Sequence, residues 1–324
     1  MDLYDLGAVT WWQSQCFYHA LAHLGREGLI ICYPSSPYIC LGLHDDLEQE
    51  IDRAYCETSG IPLFRRETGG GVVYLDQRQV FFQLVLRRDN PRLPLRRYRY
   101  YERFLQPAIT VYRQYGIPAE LKPPADLAAA GKKCSGNGCG DIEQGVAFVG
   151  NLLLDFDFDI MSRVLKAPFP EFRRHLKQAM ADNMTTFKDW VRVPAAMDEL
   201  AARLIQAFSR EWSDLRAVRP DQELQDKARE LAQRYTSTAW LGLPGRRYVD
   251  RKVKIAEGLM LLEKSIKAGG KAAVLVRNGT IEAISVPGYD YPVSSLIGKT
   301  WEENLPDLIA AGATDEQGEI IYAG

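Results

Sequence analysis

The sequence lacks the features of a secreted or membrane-spanning chain. No stretch approaches the ~18 consecutive apolar residues of a bilayer-crossing helix. The start, Met1-Asp2-Leu3-Tyr4-Asp5, has neither the basic region nor the apolar run of a signal peptide, which predicts a soluble, cytoplasmic protein. Cysteine is sparse: six residues, at 16, 32, 40, 56, 134 and 139, include no Cys-x-x-Cys pair. Diluted in 324 residues, they predict reduced thiols rather than a disulfide framework. Of the four histidines only His19 and His23 stand at i, i+4 spacing, and without a zincin glutamate they predict a structural or exposed role. No charge sign is in excess. With 40 Lys and Arg against 42 Asp and Glu, the formal net charge of -2 gives no argument for nucleic acid or membrane as a partner.

What is present is enough for a large core. The chain is 46% hydrophobic and 25% charged, which predicts one large domain and a smaller one. Trp12, Cys16, Phe17, Ala20 and Leu24 fall on one stripe, an opening helix over 11–24 stopped by Gly25. The runs 29–33 and 38–41 predict strands joined by the turn Pro34-Ser35-Ser36-Pro37, and 47–59 predicts a helix ended by Gly60-Ile61-Pro62. Strands are expected over 63–66, 72–74 and 80–86 as one continuing sheet, and the apolar run 145–155 predicts a buried strand. Two amphipathic helices follow, one carrying Leu200, Leu204 and Phe208, the other Leu224, Ala228 and Leu231. Gly242-Leu243-Pro244-Gly245 then predicts a domain boundary. Beyond it, Asn278-Gly279 predicts a hairpin, and a helix is expected from Trp301.

Two segments carry chemistry. Arg65-Arg66-Glu67-Thr68-Gly69-Gly70-Gly71 sets fixed positive charge beside backbone that a ligand approaches without meeting a Cβ. Lys132-Lys133-Cys134-Ser135-Gly136 places ammonium groups ahead of a second small turn. Together they describe a site for a phosphate or an acyl phosphate. Taken alone, the glycine triplet predicts only a strand bulge or tight turn. Strand alternation sends Arg66 to the face opposite Arg65, as a surface or salt-bridged residue. Cys134 and Cys139 lack the further partners of a zinc site and read as ordinary small or turn-lining thiols, with a lowered thiol pKa as the alternative for Cys134 beside Lys133. The segment 87–103, rich in arginine with Tyr98, Tyr100 and Tyr101 interleaved, reads as a solvated helix face sooner than an RNA-binding surface.

The residues Arg65-Arg66-x-Thr68-Gly69-Gly70-Gly71-x-Val73-x-x-Asp76, Asp126-Leu127, Lys133-x-Ser135-Gly136 and Gly150-x-Leu152-Leu153 resemble the lipoate-protein ligase family in type, order and spacing. The resemblance implies an α/β (α+β) fold shared with biotin ligases, with mixed, largely antiparallel sheets flanked by helices. Residues 1–243 would be the catalytic domain and 247–324 a small α+β accessory domain. It implies ATP and Mg²⁺ as cofactors, lipoate as substrate, and lipoyl-AMP as the intermediate passed to a lysine of an acceptor. That acceptor is a lipoyl domain, glycine-cleavage H-like, 2-oxoacid dehydrogenase E2-like or another lipoate-binding protein, which an arginine-rich 87–103 would suit if it is acidic.

By resemblance Lys133 is catalytic, contacting the acyl carbonyl and the phosphate, and Arg65 holds phosphate or carboxylate oxygens. Thr68, Gly69, Gly70, Gly71, Val72, Val73, Tyr74, Asp76, Gly150 and Asn151 line the lipoate and lipoyl-AMP site. Asp126, Ser135 and Gly136 line the nucleotide side, with Asp126 also facing the metal. A monomer is implied as well. The chain departs from the family pattern at Leu75, Arg78-Gln79, Ala125 and Phe148-Val149-Gly150-Asn151, losses of polar groups that describe a divergent branch.

Three other readings stay open. An octanoyltransferase would need Cys134 or Cys139 as nucleophile and no ATP; a non-catalytic module would only bind lipoylated proteins. A biotin ligase would need an arginine-and-glycine adenylate loop, which the sequence does not contain. Under the ligase reading the Leu243-Pro244-Gly245 segment is expected to act as a hinge.

Overall fold

The computed structural model describes residues 1–192, 196–265, 270–287 and 296–301. They form two compact units: Met1–Asp157 with Met184–Arg246, and Phe158–Asn183 with the described residues from Arg247 onward.

The first unit runs β1 (Asp2–Val9), α1 (Gln13–His23), β2 (Gly28–Pro34), β3 (Tyr38–Leu41), α2 (Leu47–Glu50), α3 (Arg53–Thr58), β4 (Leu63–Arg65), β5 (Val73–Leu75) and β6 (Gln79–Arg87). It continues α4 (Tyr98–Phe104), α5 (Gln106–Gln114), β7 (Ala119–Lys122), β8 (Asp126–Ala129), β9 (Lys132–Ser135), β10 (Asn137–Ile142) and β11 (Gly145–Leu153). A six-stranded sheet, ordered β10-β11-β6-β2-β1 with Arg216–Ala217 at the edge, forms the middle layer. Alternation along β6 and β11 divides their side chains between two cores. Phe82, Leu84, Phe148 and Leu152 pack with α4, α5 and a helix at Met197–Glu211. Phe81, Val85 and Ala147 pack with α1 and a helix at Gln222–Thr236. Covering both faces explains why the first eight residues of β6 are all buried.

Two small sheets flank this layer. β4-β3-β5 contributes Tyr38, Cys40, Phe64 and Leu75 to the α1 core, whereas β7-β8-β9 contributes Ala119, Leu127 and Cys134 to the α5 core. The predicted β2–β3 turn is therefore a change of sheet. β2 pairs with β1 and β6, while β3 pairs with β4 and β5. For the same reason the strand after the glycines does not continue into the sheet of β6. The helix expected over 47–59 is two helices, because Asp46 and Asp52 each cap one: Asp46 accepts from Gln49 N at 2.9 Å and Asp52 from Tyr55 N at 3.1 Å. The extended Ile51 between them is buried. Helix α1 stops where Gly25 takes φ +63, as expected of a C′ glycine.

In the second unit, four strands, Lys252–Ala256, Leu259–Ser265, Lys271–Arg277 and Thr280–Ser285, form an antiparallel meander. Asn278 and Gly279 turn its last hairpin with φ of 47° and 80°. Residues 158–183, inside the expected 1–243 domain, group with this sheet instead. The helix Pro170–Asn183 buries Phe172, Leu176, Ala179 and Met180 and packs against the meander. The helix expected from Trp301 lies outside the described residues. No described helix is long and apolar enough to cross a membrane.

Candidate functional site

The glycine triplet lies between β4 and β5, and of the two arginines before it Arg66 holds it from inside while Arg65 bonds elsewhere. Arg65 has no exposed surface. Its terminal nitrogens donate to Leu43 O (3.0 Å), Asp45 O (2.7 Å), Leu241 O (2.6 Å) and Leu243 O (3.3 Å). The guanidinium thus ties the end of the first unit to the β3–α2 loop and has no terminal nitrogen left for the ligand oxygens that the family resemblance implied for it. The same bonds bear on the expected hinge. A Cβ at Gly245 would stand 2.2 Å from Asp46 N, and Arg246 N donates to His44 O at 2.8 Å, so Leu243-Pro244-Gly245 is packed and bonded into the first unit.

Arg66 is not at the surface either, because both sides of β4 are covered. It donates to Cys40 O (3.1 Å), Gly69 O (2.8 Å) and Gly71 O (2.9 Å). Planar trans peptides then turn the N–H groups of Gly70 and Val72 away from the guanidinium. Gly69 and Gly71 face open space, since a Cβ at either meets nothing within 4 Å. Gly70 takes φ +95, and its carbonyl oxygen would lie 2.0 Å from a Cβ at Gly42, so the loop is pressed onto β3. The loop thus carries charge on its inner side and bare glycine on its open side, an arrangement with room for ligand atoms against backbone.

His19 supports the cradle from beneath. Its Nδ1 lies 2.8 Å from Gln15 O, and its Nε2 accepts from Glu67 N at 3.2 Å, which fixes the neutral tautomer. Burial lowers its pKa to about 4. Glu67 is held down to about 2: burial pushes it up, but the hydrogen bonds from His23 and Tyr235 and the nearby imidazoles outweigh that. Thr68 is buried against β10, where a Cβ on Gly140 would come within 2.8 Å of its Cγ2. Val72 and Val73 are half-buried and Tyr74 is buried. Asp76 is buried, accepting from Arg78 N at 3.0 Å and Arg78 Nε at 2.8 Å.

On the other small sheet, the side chains of Asp126 in β8 and Lys133 in β9 meet diagonally across the strands. Lys133 Nζ donates to Asp126 Oδ1 at 2.7 Å, with the side chains 24% and 10% exposed. Ala128 stands opposite Lys133 and Leu127 opposite Ser135, leaving Cys134 as the extra residue of a bulge. The bulge drives Cys134 into the α5 core, and burial pushes its thiol up to about 12, which fits an ordinary packed thiol and rules out the alternative of a lowered value beside Lys133. Cys139 is only half-buried.

Ser135 and Gly136 both bond to Asn151. Ser135 Oγ donates to Asn151 O at 2.6 Å and Gly136 N to Asn151 Oδ1 at 2.7 Å. Gly150 has no room for a side chain, for a Cβ would stand 2.3 Å from the Phe82 ring. Asn151 Nδ2 donates to Gln79 Oε1 at 2.9 Å, and Gln79 Nε2 to Tyr74 O at 3.2 Å. The structure thus joins Tyr74, Ser135, Gly136 and Asn151 in one network, and Asp126 to Lys133. Sequence reasoning missed the parts played by Arg66 and Gln79, whereas His19 has the structural role expected of it. The available signal was polarity inside apolar strands and helices, since a buried polar group needs a partner. Among the described residues no group of three or more His, Cys, Asp or Glu could hold a metal.

Residues 9–209 match the family model of the lipoyl protein ligase A/B catalytic domain. Lipoate-protein ligase 1 of Staphylococcus aureus is 20% identical over 75% of this chain and 73% of its own. A bipartite lipoate protein ligase from Thermoplasma acidophilum, solved in work on an archaeal lipoylation system with its E2 lipoyl domain, superposes with a TM-score of 0.66 at 24% identity, covering 76% of this chain and 98% of that one. A lipoate-protein ligase A bound with ATP gives 0.62 at 24%, covering 75% and 98%. Octanoyltransferase LipM of an Exiguobacterium species also matches, 23% identical over 64% of this chain and 84% of its own. The expected mixed fold is that of these ligases, and with the family model spanning both motifs, the chain belongs to the lipoyl protein ligase A/B catalytic domain family, a family of enzymes.

Proposed function

We propose that this enzyme is an ATP-dependent lipoate-protein ligase. The observation that carries the reading is Lys133, half-buried and held by Asp126 at 2.7 Å, on a strand bonded through Ser135 and Gly136 to Asn151. In the first step a lipoate carboxylate oxygen attacks the α-phosphorus of ATP, the bond to the bridging oxygen breaks, and pyrophosphate leaves. In the second, the neutral ε-amine of an acceptor lysine attacks the acyl carbon. The carbon–oxygen bond to AMP breaks, AMP leaves, and the nitrogen loses a proton.

Both steps gather negative charge on oxygen, and a fixed ammonium in a partly dry setting stabilises it without reorganising. Asp126 orients that ammonium, and the N–H groups turned outward at Gly70 and Val72 add donors. Open space at Gly69 and Gly71 leaves room for the acyl chain. Mg²⁺ would arrive on the ATP phosphates, which need few protein carboxylates, and Asp126 is the one beside Lys133. No protein nucleophile is required, in keeping with the buried Cys134. The acceptor is a lipoyl domain, as in the archaeal system of the structural relative.

The test is intact-mass measurement after incubation with lipoate, ATP, Mg²⁺ and candidate lipoyl domains. A lipoyl-sized increment that requires ATP is expected, and Lys133→Ala should abolish it at temperatures where circular dichroism shows the variant still folded, its melting temperature lowered by the loss of the Asp126 pair. The LipM relative favours a second reading, acyl transfer from a carrier protein without nucleotide. That reading would rest on Cys139, so ATP-independent transfer lost in Cys139→Ser would replace the ligase assignment.

A further inference from the structure

The two motifs sit on small sheets whose apolar residues belong to opposite cores, so core packing alone does not set the distance between them. What spans the gap is a relay of amides. Tyr74 O in β5 accepts from Gln79 Nε2 (3.2 Å), Gln79 Oε1 accepts from Asn151 Nδ2 (2.9 Å), and Asn151 Oδ1 accepts from Gly136 N (2.7 Å), at the turn after the Lys133 strand. We propose that Gln79 and Asn151 are positioning residues that set the separation of the strand that follows the glycine loop from the lysine-bearing strand, and with it the alignment of the two reactants. The proposal rests on the ligase reading.

Three features support it. First, both ends of the relay have a single role: a backbone carbonyl only accepts and a backbone N–H only donates. Each amide can therefore complete the chain in one orientation alone. Second, Gln79 and Asn151 are 1% and 7% exposed, so water is a poor substitute for either partner, and a broken link leaves buried polar atoms unpaired. Third, Gln79 pairs with Leu153 and Asn151 with Phe81, which makes the two amides diagonal neighbours on one sheet face. Ser135 Oγ, bonded to Asn151 O at 2.6 Å, adds a second tie from β9 to the same residue. The departures at Gln79 and Asn151 thus do not strip polarity from the site. They act as one unit.

The relay depends on total reach, which gives a test with a rescue. Gln79→Asn shortens it by one methylene and Asn151→Gln lengthens it by one; the double exchange conserves the span and the order of donors and acceptors. Pyrophosphate release would be measured at varied lipoate and ATP. Each single variant is expected to lower kcat by about 10- to 100-fold, the scale of a small misalignment, with KM values within about threefold of the wild type, since the loss falls on the transition state. The double variant should recover most of kcat. Single variants with wild-type kcat would overturn the proposal, as would a double no better than the singles while melting normally. Should a single variant fold poorly, Gln79→Leu breaks the same link at similar volume and carries the same expectation. Amide exchange at Gly136 separates the two readings. If the wild type releases no pyrophosphate, the ligase assignment fails; faster exchange in Gln79→Leu would still support the relay, and unchanged exchange would refute it.

Discussion

Replacing Arg65 with lysine distinguishes a ligand-binding arginine from one that holds the fold together. In the structure its guanidinium spreads four hydrogen bonds over two loops, three of them at 3.0 Å or shorter. A lysine ammonium is a single point and cannot serve carbonyls on both sides, so at least two buried acceptors lose their donor. A hydrogen bond to a charged group contributes ~1.5–3 kcal/mol, and disrupting a buried charged network costs ~3–5 kcal/mol once non-additivity is allowed for. For a unit of this size that lowers Tm by roughly 10 °C, at ~2–4 °C per kcal/mol. The assay is thermal and urea unfolding of Arg65→Lys beside the wild type, with KM for ATP measured well below the melting range. An unchanged Tm with a raised KM for ATP would refute the structural role and return Arg65 to the ligand.

Other outcomes follow from the same geometry. Cys134→Ser should keep ligase activity, and iodoacetamide should leave Cys134 unmodified in the native protein, because its thiol is buried and pushed up to about 12; peptide mapping after alkylation reads this. Gly140→Ala presses a methyl to 2.8 Å from Thr68 Cγ2 and 3.1 Å from its Cβ, and should destabilise by the ~1–3 kcal/mol typical of overpacking, measured by urea unfolding. His19 is lowered from 6.5 to about 4, so between those values the unfolded chain binds more protons and stability rises with pH. Its contribution is complete above pH 6.5 and lost as pH falls to about 4, a change of roughly 3 kcal/mol. Urea titrations at pH 5 and 7 should show a smaller difference in His19→Gln than in the wild type.

The second arginine shows how local pattern misleads. Alternation in a strand predicts opposite faces for Arg65 and Arg66, and solvent for one of them. The inference assumed a strand with one wet face, whereas β4 is covered on both sides and each guanidinium found backbone carbonyls instead. The alternative of an activated Cys134 fell for a related reason: its neighbour in sequence is a lysine, but the bulge in β9 turns it into the core.

Periodicity and chemistry along the chain were sufficient for the opening helix, the two amphipathic helices near 200 and 230, the buried strand expected over 145–155 and found over 145–153, the Asn278-Gly279 hairpin and the two motifs that lead to the ligase family. Those are local or nearest-neighbour properties, set by side-chain spacing and by glycine's freedom at positive φ. Which strands share a sheet, the grouping of 158–183 with the C-terminal strands, the carbonyls that capture Arg65, and the amide relay from Tyr74 to Gly136 were decided by tertiary structure alone. Each depends on groups distant in sequence finding a buried partner, and no one-dimensional pattern records which partner that is.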